Sequence, residues 1–112
     1  MKIVIAGAGD IGFHITKLLA HEDHDISLID LDEDVLEDVR THIDVLTIRG
    51  DSSNFKVLRQ AKIGDADLLM AVTTSENTNL LTAILAKKMG ARQTIARVLH
   101  AQSISQHSKI VT

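Results

Sequence analysis

Residues 7–12 read Gly-Ala-Gly-Asp-Ile-Gly, directly behind the β-branched run KIVIA (residues 2–6) and directly ahead of an amphipathic stretch. No other feature constrains the fold as tightly. A GxGxxG motif alone is weak, because small residues occur in many turns. Between a strand buried on both faces and the start of a helix, it fits the first turn of a βαβ unit. Each glycine then has its own task. Gly7 turns the chain off the strand, Gly9 leaves room for a pyrophosphate against the backbone, and Gly12 allows close helix packing. The N–H groups around Asp10 and Ile11 at the helix start would face that phosphate, aided by the helix dipole.

The rest of the chain repeats the alternation. Phe13, Ile15, Leu18 and Leu19 supply the apolar face of a helix beginning near Asp10. A second strand covers Ile26–Ile29. Asp32 is placed to cap a helix with Val35, Leu36 and Val39 as its stripe, and a third strand follows at Val45–Ile48. Gly50 and Asp51 turn the chain into a short helix at Phe55–Gln60. A fourth strand spans Asp67–Val72, Ser75 caps a long helix that Gly90 stops, and a fifth strand covers Thr94–Val98. Strands alternating with helices predict an α/β fold: a Rossmann-type doubly wound parallel sheet, helices on both faces, with strand order 3-2-1-4-5. The tail from His100 is richer in Ser, Gln and His. It allows a further helix and carries no signal for a sixth strand.

Asp30 ends the second strand, 18 positions after Gly12. That is where a dinucleotide fold places a carboxylate for the adenosine ribose hydroxyls. Asp32, Glu33 and Asp34 follow it, and no Arg stands nearby in sequence to receive a 2′-phosphate. NAD(H) is therefore expected over NADP(H). The alternative for Asp30 is a strand-end turn former.

Composition narrows the chemistry. With 112 residues and 45% apolar content, the chain has the size and core of one domain. It has no Cys, so it carries no disulfide, thiolate nucleophile or cysteine metal site. It has no Tyr, which removes a tyrosine general acid and with it the Tyr–Lys pair of short-chain dehydrogenases. No apolar run approaches the roughly 20 residues of a membrane span. Met1 leads straight into a strand, without the basic and apolar regions of a signal peptide, so a cytoplasmic protein is expected. Nine of the fifteen acids lie between Glu22 and Asp38, where there is no Lys or Arg. That belt argues against a nucleic-acid surface.

Other segments extend the pattern: Gly50-Asp51-Ser52 after the third strand, residues 71–79 (AVTTSENTN) after the fourth, and Ile95-Ala96-Arg97-Val98 in the fifth. Together with GAGDIG and IDLDED they resemble the nucleotide-binding domains of potassium channels and transporters, known as KTN domains or the N-terminal half of RCK domains. The likeness is strongest to the Trk potassium uptake members and spans residues 1 to about 100.

The resemblance implies a cofactor site. Gly7, Ala8, Gly9, Asp10 and Ile11 would line the pyrophosphate, and Asp30 and Leu31 would hold the adenosine ribose. Asp51 and Ser52 would border the adenine, and Thr73 and Thr74 would lie near phosphate and the second ribose. Arg97 would point toward the phosphates or a neighbouring subunit. Read without the resemblance, Asp51 is equally a turn residue, Thr73 a strand-end cap and Arg97 the partner of a structural acid. Glu76 and Asn79 read as first-turn helix residues. One departure is informative: related ATP-binding domains often carry a basic residue in the glycine loop, where this chain has Asp10. A carboxylate beside a triphosphate is unfavourable, which favours NAD(H).

The resemblance further implies a regulatory domain without enzymatic activity, residues 1–112 of a longer protein. It would form a homo-oligomer (dimer or tetramer) beneath a membrane potassium transporter subunit, peripheral to the inner membrane through that partner. No direct membrane insertion is expected. The alternative is the cofactor-binding half of an NAD-dependent dehydrogenase whose substrate domain is absent, and a third reading is a structural assembly domain. His21 and His24 could pair on a metal, but spacing fixes no third ligand and a solvated turn is the simpler reading. Ser103, Ser105 and Ser108 lack a GxSxG elbow, so a serine hydrolase is not expected.

Overall fold

The computed structural model of the chain describes residues 1–98 and 109–111. The elements run β1 (Lys2–Ala6), α1 (Asp10–Leu19), β2 (Asp25–Asp30), α2 (Glu33–His42), β3 (Leu46–Arg49), α3 (Phe55–Gln60), a 3₁₀ turn (Ile63–Asp65), β4 (Leu68–Ala71), α4 (Glu76–Lys88), β5 (Gln93–Val98) and β6 (Lys109–Val111). The sheet order is β3-β2-β1-β4-β5-β6. The first five strands are parallel in the expected order.

The period of two along β1 builds a core on each face of the sheet. Ile3 and Ile5 pack with Ile26, Leu28, Leu36 and Val39 on the side of α1 and α2. Val4 and Ala6 pack with Ile29, Leu58, Leu69 and Ala86 on the side of α3 and α4. Because β1 is enclosed on both faces and both edges, its last four residues are all buried and all apolar.

One expectation is overturned. A sixth strand exists: Lys109–Val111 runs antiparallel along β5, with Ala96 opposite Val111 and Val98 opposite Lys109. Three residues carry too little periodicity to announce a strand; the free edge of β5, a distant partner, selects it. The helix allowed from His100 falls outside the described residues.

Candidate functional site

The chain order reverses between β1 and β4, so the loops after these strands diverge and leave a crevice at the carboxyl ends of the sheet. A cleft of about 590 Å³ opens there, within the range of roughly 300–1,000 Å³ usual for small-molecule sites. Of the residues expected at a ligand, all except Ala8 and Asp51 line it.

The glycine loop forms one wall. Gly7 has φ +108°, a conformation that side chains rarely adopt, and its N–H donates to the Ile29 carbonyl at 2.8 Å. A Cβ on Gly7 would also lie 2.9 Å from the Thr73 backbone nitrogen. A Cβ on Gly12 would lie 1.7 Å from the Gly7 carbonyl oxygen, so Gly12 lets the helix close onto its own loop more than onto the sheet. A Cβ on Gly9 meets nothing within 4 Å. Two glycines thus serve packing, and the third faces open space. Gly9 is also the N-cap of α1, and no side chain caps that helix. The N–H groups of its first turn, beside Asp10 and Ile11, are available to an anion.

Asp30 stands at the floor. Its Oδ2 accepts the Ala8 N–H at 2.7 Å and its Oδ1 accepts the Asp32 N–H at 2.9 Å. Ala8 is itself buried, so its part in the site is this N–H. A carboxylate has about four acceptor positions; two remain for hydroxyl donors. Ile11, 37% exposed, and Leu31, 66% exposed, flank the acid with Val35, an apolar mouth able to hold a flat base. Around them Asp32 caps α2 by accepting from Asp34 N–H, and Glu33 pairs with Arg40.

Strand pairing corrects one sequence inference. No Arg is near Asp30 in sequence, yet β3 sets Arg49 directly opposite Asp30, beside Leu31 and the first turn of α2. A cation therefore does stand beside Asp30, in a hollow that adjoins the cleft at Leu31 and Asp32. The carboxylates of Asp30, Asp32, Glu33 and Asp34 still outnumber it.

On the far side, Ser52 reaches the cleft but is 5% exposed, with its hydroxyl 2.9 Å from that of Thr82 on α4. The Asp51 carboxylate accepts from Ser53 N–H and Ser53 hydroxyl, holding the turn. Thr73 and Thr74 follow β4, and Arg97 reaches in from β5. Among the described residues no carboxylate forms an ion pair with Arg49 or Arg97.

Sequence reasoning missed Asn79. Assigned to a helix first turn, it is fully buried and bonds the backbones of both Thr73 and Arg97. Its spacing from Thr73 carried no signal. The His21–His24 pair resolves into an exposed His21 and a His24 ring 2.8 Å from Glu22. No group of three or more metal-ligating side chains occurs among the described residues. No helix among them is long and apolar enough to cross a membrane.

A glycine-walled cleft with an uncapped helix start and a strand-end acid is shared by many nucleotide-binding folds. The family model of the TrkA-N domain matches residues 3–111. The chain belongs to the TrkA-N domain family. Among curated relatives, the Trk system potassium uptake protein TrkA homolog of Archaeoglobus fulgidus is 42% identical over 106 residues, covering 95% of this chain and 24% of that protein. The Trk system potassium uptake protein TrkA of Halomonas elongata is 41% identical over 99 residues, covering 88% and 22%. The chain thus spans about a quarter of the length of these relatives. Among solved structures, the TrkA-N domain of inner membrane protein ybaL from Escherichia coli superposes with a TM-score of 0.65 at 14% identity, covering 92% of this chain and 90% of that one. The Shewanella denitrificans Kef CTD in AMP-bound form superposes with a TM-score of 0.66 at 26% identity, covering 79% and 52%. The TrkA-N fold is therefore that of the whole sheet with its helices, and the cleft is the crevice that this fold leaves open.

Proposed function

We propose that residues 1–112 form a nucleotide-sensing regulatory domain of a potassium uptake system and are part of a longer protein. The domain binds NAD(H) in the cleft and passes the ligand state to a membrane transporter subunit. The observation that carries the reading is Gly9: no side chain caps the helix that starts there, a Cβ on it would meet nothing within 4 Å, and the neighbouring Ala8 N–H is held by the Asp30 carboxylate. The first-turn N–H groups at Asp10 and Ile11 bind the pyrophosphate, and Asp30 accepts from the adenosine ribose hydroxyls. Ile11 and Leu31 hold the adenine, bordered by Ser52 and the Asp51 turn. Thr74 and Arg97 take the distal half, with Thr73 behind them. Asp10 disfavours a third phosphate on that wall.

The potassium link follows the names of the relatives, and assembly as a homo-oligomer beneath a transporter follows with it. No enzymatic step is assigned. The adenosine half of NAD(H) is common to AMP, which the Kef structure holds; AMP is the second reading, and it needs only the Gly9–Asp30 half of the cleft.

Identification of the nucleotide that copurifies with the folded chain, followed by calorimetric titration with NADH, AMP and ATP, tests the ligand. Binding of NADH in preference to ATP is expected; a chain that binds none of the three ends the reading. Normal potassium uptake in cells lacking the parent protein would remove the transport role alone. Sedimentation as a strict monomer, in both this chain and its parent, would remove the assembly role.

A further inference from the structure

Asn79 is in the first turn of α4, is 0% exposed, and uses every hydrogen-bonding position of its amide. Its Oδ1 accepts the Thr73 N–H at 2.9 Å and the Thr73 hydroxyl at 2.6 Å. Its Nδ2 donates to the Thr73 carbonyl at 3.1 Å and to the Arg97 carbonyl at 2.9 Å. Thr73 and Arg97 both line the cleft, but they belong to different segments, 24 positions apart. One buried side chain therefore joins the end of β4 to the end of β5, just where β5 pairs with β6 through Arg97 and Ile110.

The Thr73 hydroxyl shows why this junction is sensitive to a ligand. A hydroxyl has one proton. The Asn79 Oδ1 at 2.6 Å is the nearer acceptor of that proton and the Ser75 carbonyl at 3.2 Å the farther, while the hydroxyl oxygen accepts from Ser75 N–H at 3.1 Å. An anion that draws on this hydroxyl takes the proton that Asn79 now accepts, and so changes the bonds that Asn79 makes. A fully paired buried amide has no spare partner, so a change at one bond is felt at the others.

We propose that Asn79 is a positioning residue that couples occupancy of the cleft to the geometry of β5 and β6. It holds Thr73 at the phosphate end and grips the backbone of Arg97, so ligand state at the glycine loop reaches the far edge of the sheet. This rests on the nucleotide reading above and names its route out of the cleft.

The test is a titration of the isotopically labelled chain with NADH, followed by amide resonances. Gly9 and Ile11 report occupancy; the Asn79 side-chain amide, Val98 and Ile110 report the route. In the unmodified chain all five are expected to shift on one saturation curve. Asn79→Asp keeps the acceptor oxygen and replaces both donors with a second acceptor. It is expected to weaken NADH about tenfold, the effect of about one hydrogen bond, and to leave Val98 and Ile110 unmoved while Gly9 and Ile11 still respond. Thr73→Val, which removes the hydroxyl that the ligand would draw on and leaves the Asn79–Arg97 bond in place, is expected to reduce the response at Val98 while Gly9 and Ile11 still shift; an undiminished response at Val98 would overturn the route through Thr73.

Full shifts at Val98 and Ile110 in Asn79→Asp would make Asn79 simple packing and overturn the coupling. If that variant does not fold, the unmodified chain decides: movement at Gly9 and Ile11 with a silent Asn79 amide and a silent β5 overturns it equally. Silence at Gly9 and Ile11 themselves overturns the nucleotide reading, and the coupling with it.

Discussion

At the carboxyl edge of the sheet, α1 and α4 begin in opposite ways. Helix α1 starts at Gly9 with no side chain over its first turn. Helix α4 starts at Ser75, whose hydroxyl accepts the Thr78 N–H, with Asn79 filling the space beneath. The other two α-helices follow α4: Asp32 caps α2 and Asn54 caps α3, each accepting an N–H of the first turn. With glycine in place of a capping side chain, a helix start forgoes about a few tenths of a kcal/mol. Among the described α-helices this happens at α1 alone, where a side chain would stand in the cleft. The difference is that the start of α1 at Gly9 is left open to the cleft, whereas the start of α4 is closed by its own side chains, Ser75 and Asn79.

Four substitutions break or sharpen that contrast. Gly12→Ala has the largest expected effect. Its Cβ would meet a backbone oxygen at 1.7 Å, and overpacking against an unyielding neighbour costs about 3 kcal/mol. Urea unfolding should show this as a large fall in midpoint; an unchanged midpoint would mean that the loop rearranges cheaply. Gly9→Val should do the reverse. Its Cβ meets nothing, so far-UV circular dichroism and unliganded melting temperature should hold while the thermal shift with NADH disappears. A preserved shift would show that phosphate does not use this loop.

Asp30→Ala comes next. It should weaken NADH by roughly 1–3 kcal/mol, the scale of hydrogen bonds to a charged group. It also frees the N–H groups of Ala8 and Asp32 that the carboxylate now holds. Calorimetry giving unaltered affinity would take the ribose away from Asp30. Ser75→Ala should be the smallest, about 1 kcal/mol of stability from the lost cap, with NADH affinity unchanged. A loss of affinity in that variant would mean that the start of α4 touches the ligand, and the contrast between the two helices would dissolve.

What was legible in the sequence was local. The βαβ opening, the cap residues Asp32 and Ser75, and the five-strand order all follow from period, turn chemistry and handedness. Most of the cleft lining followed too, because GxGxxG and a strand-end acid lie at fixed chain spacing. What was hidden depends on partners distant in sequence. Arg49 stands opposite Asp30 only through strand pairing. Ser52 turns to Thr82, 30 positions on, and Asn79 reaches Arg97 18 positions on. The strand β6 owes its existence to an edge presented by β5. No window along the chain contains either member of such a pair together with its reason.

The strand order has a consequence for how the chain is made. β1 takes β2 on one edge at Asp25–Ile29 and β4 on the other at Leu68–Ala71. During synthesis from the amino terminus, β1, β2 and β3 can assemble as soon as they emerge, but the second edge of β1 must wait for β4. For that interval β1, apolar over its last four residues, presents an unpaired edge, the kind that recruits other chains. Folding is accordingly gated by the arrival of residues 68–71, and a nascent chain halted before them is the aggregation-prone species of this domain.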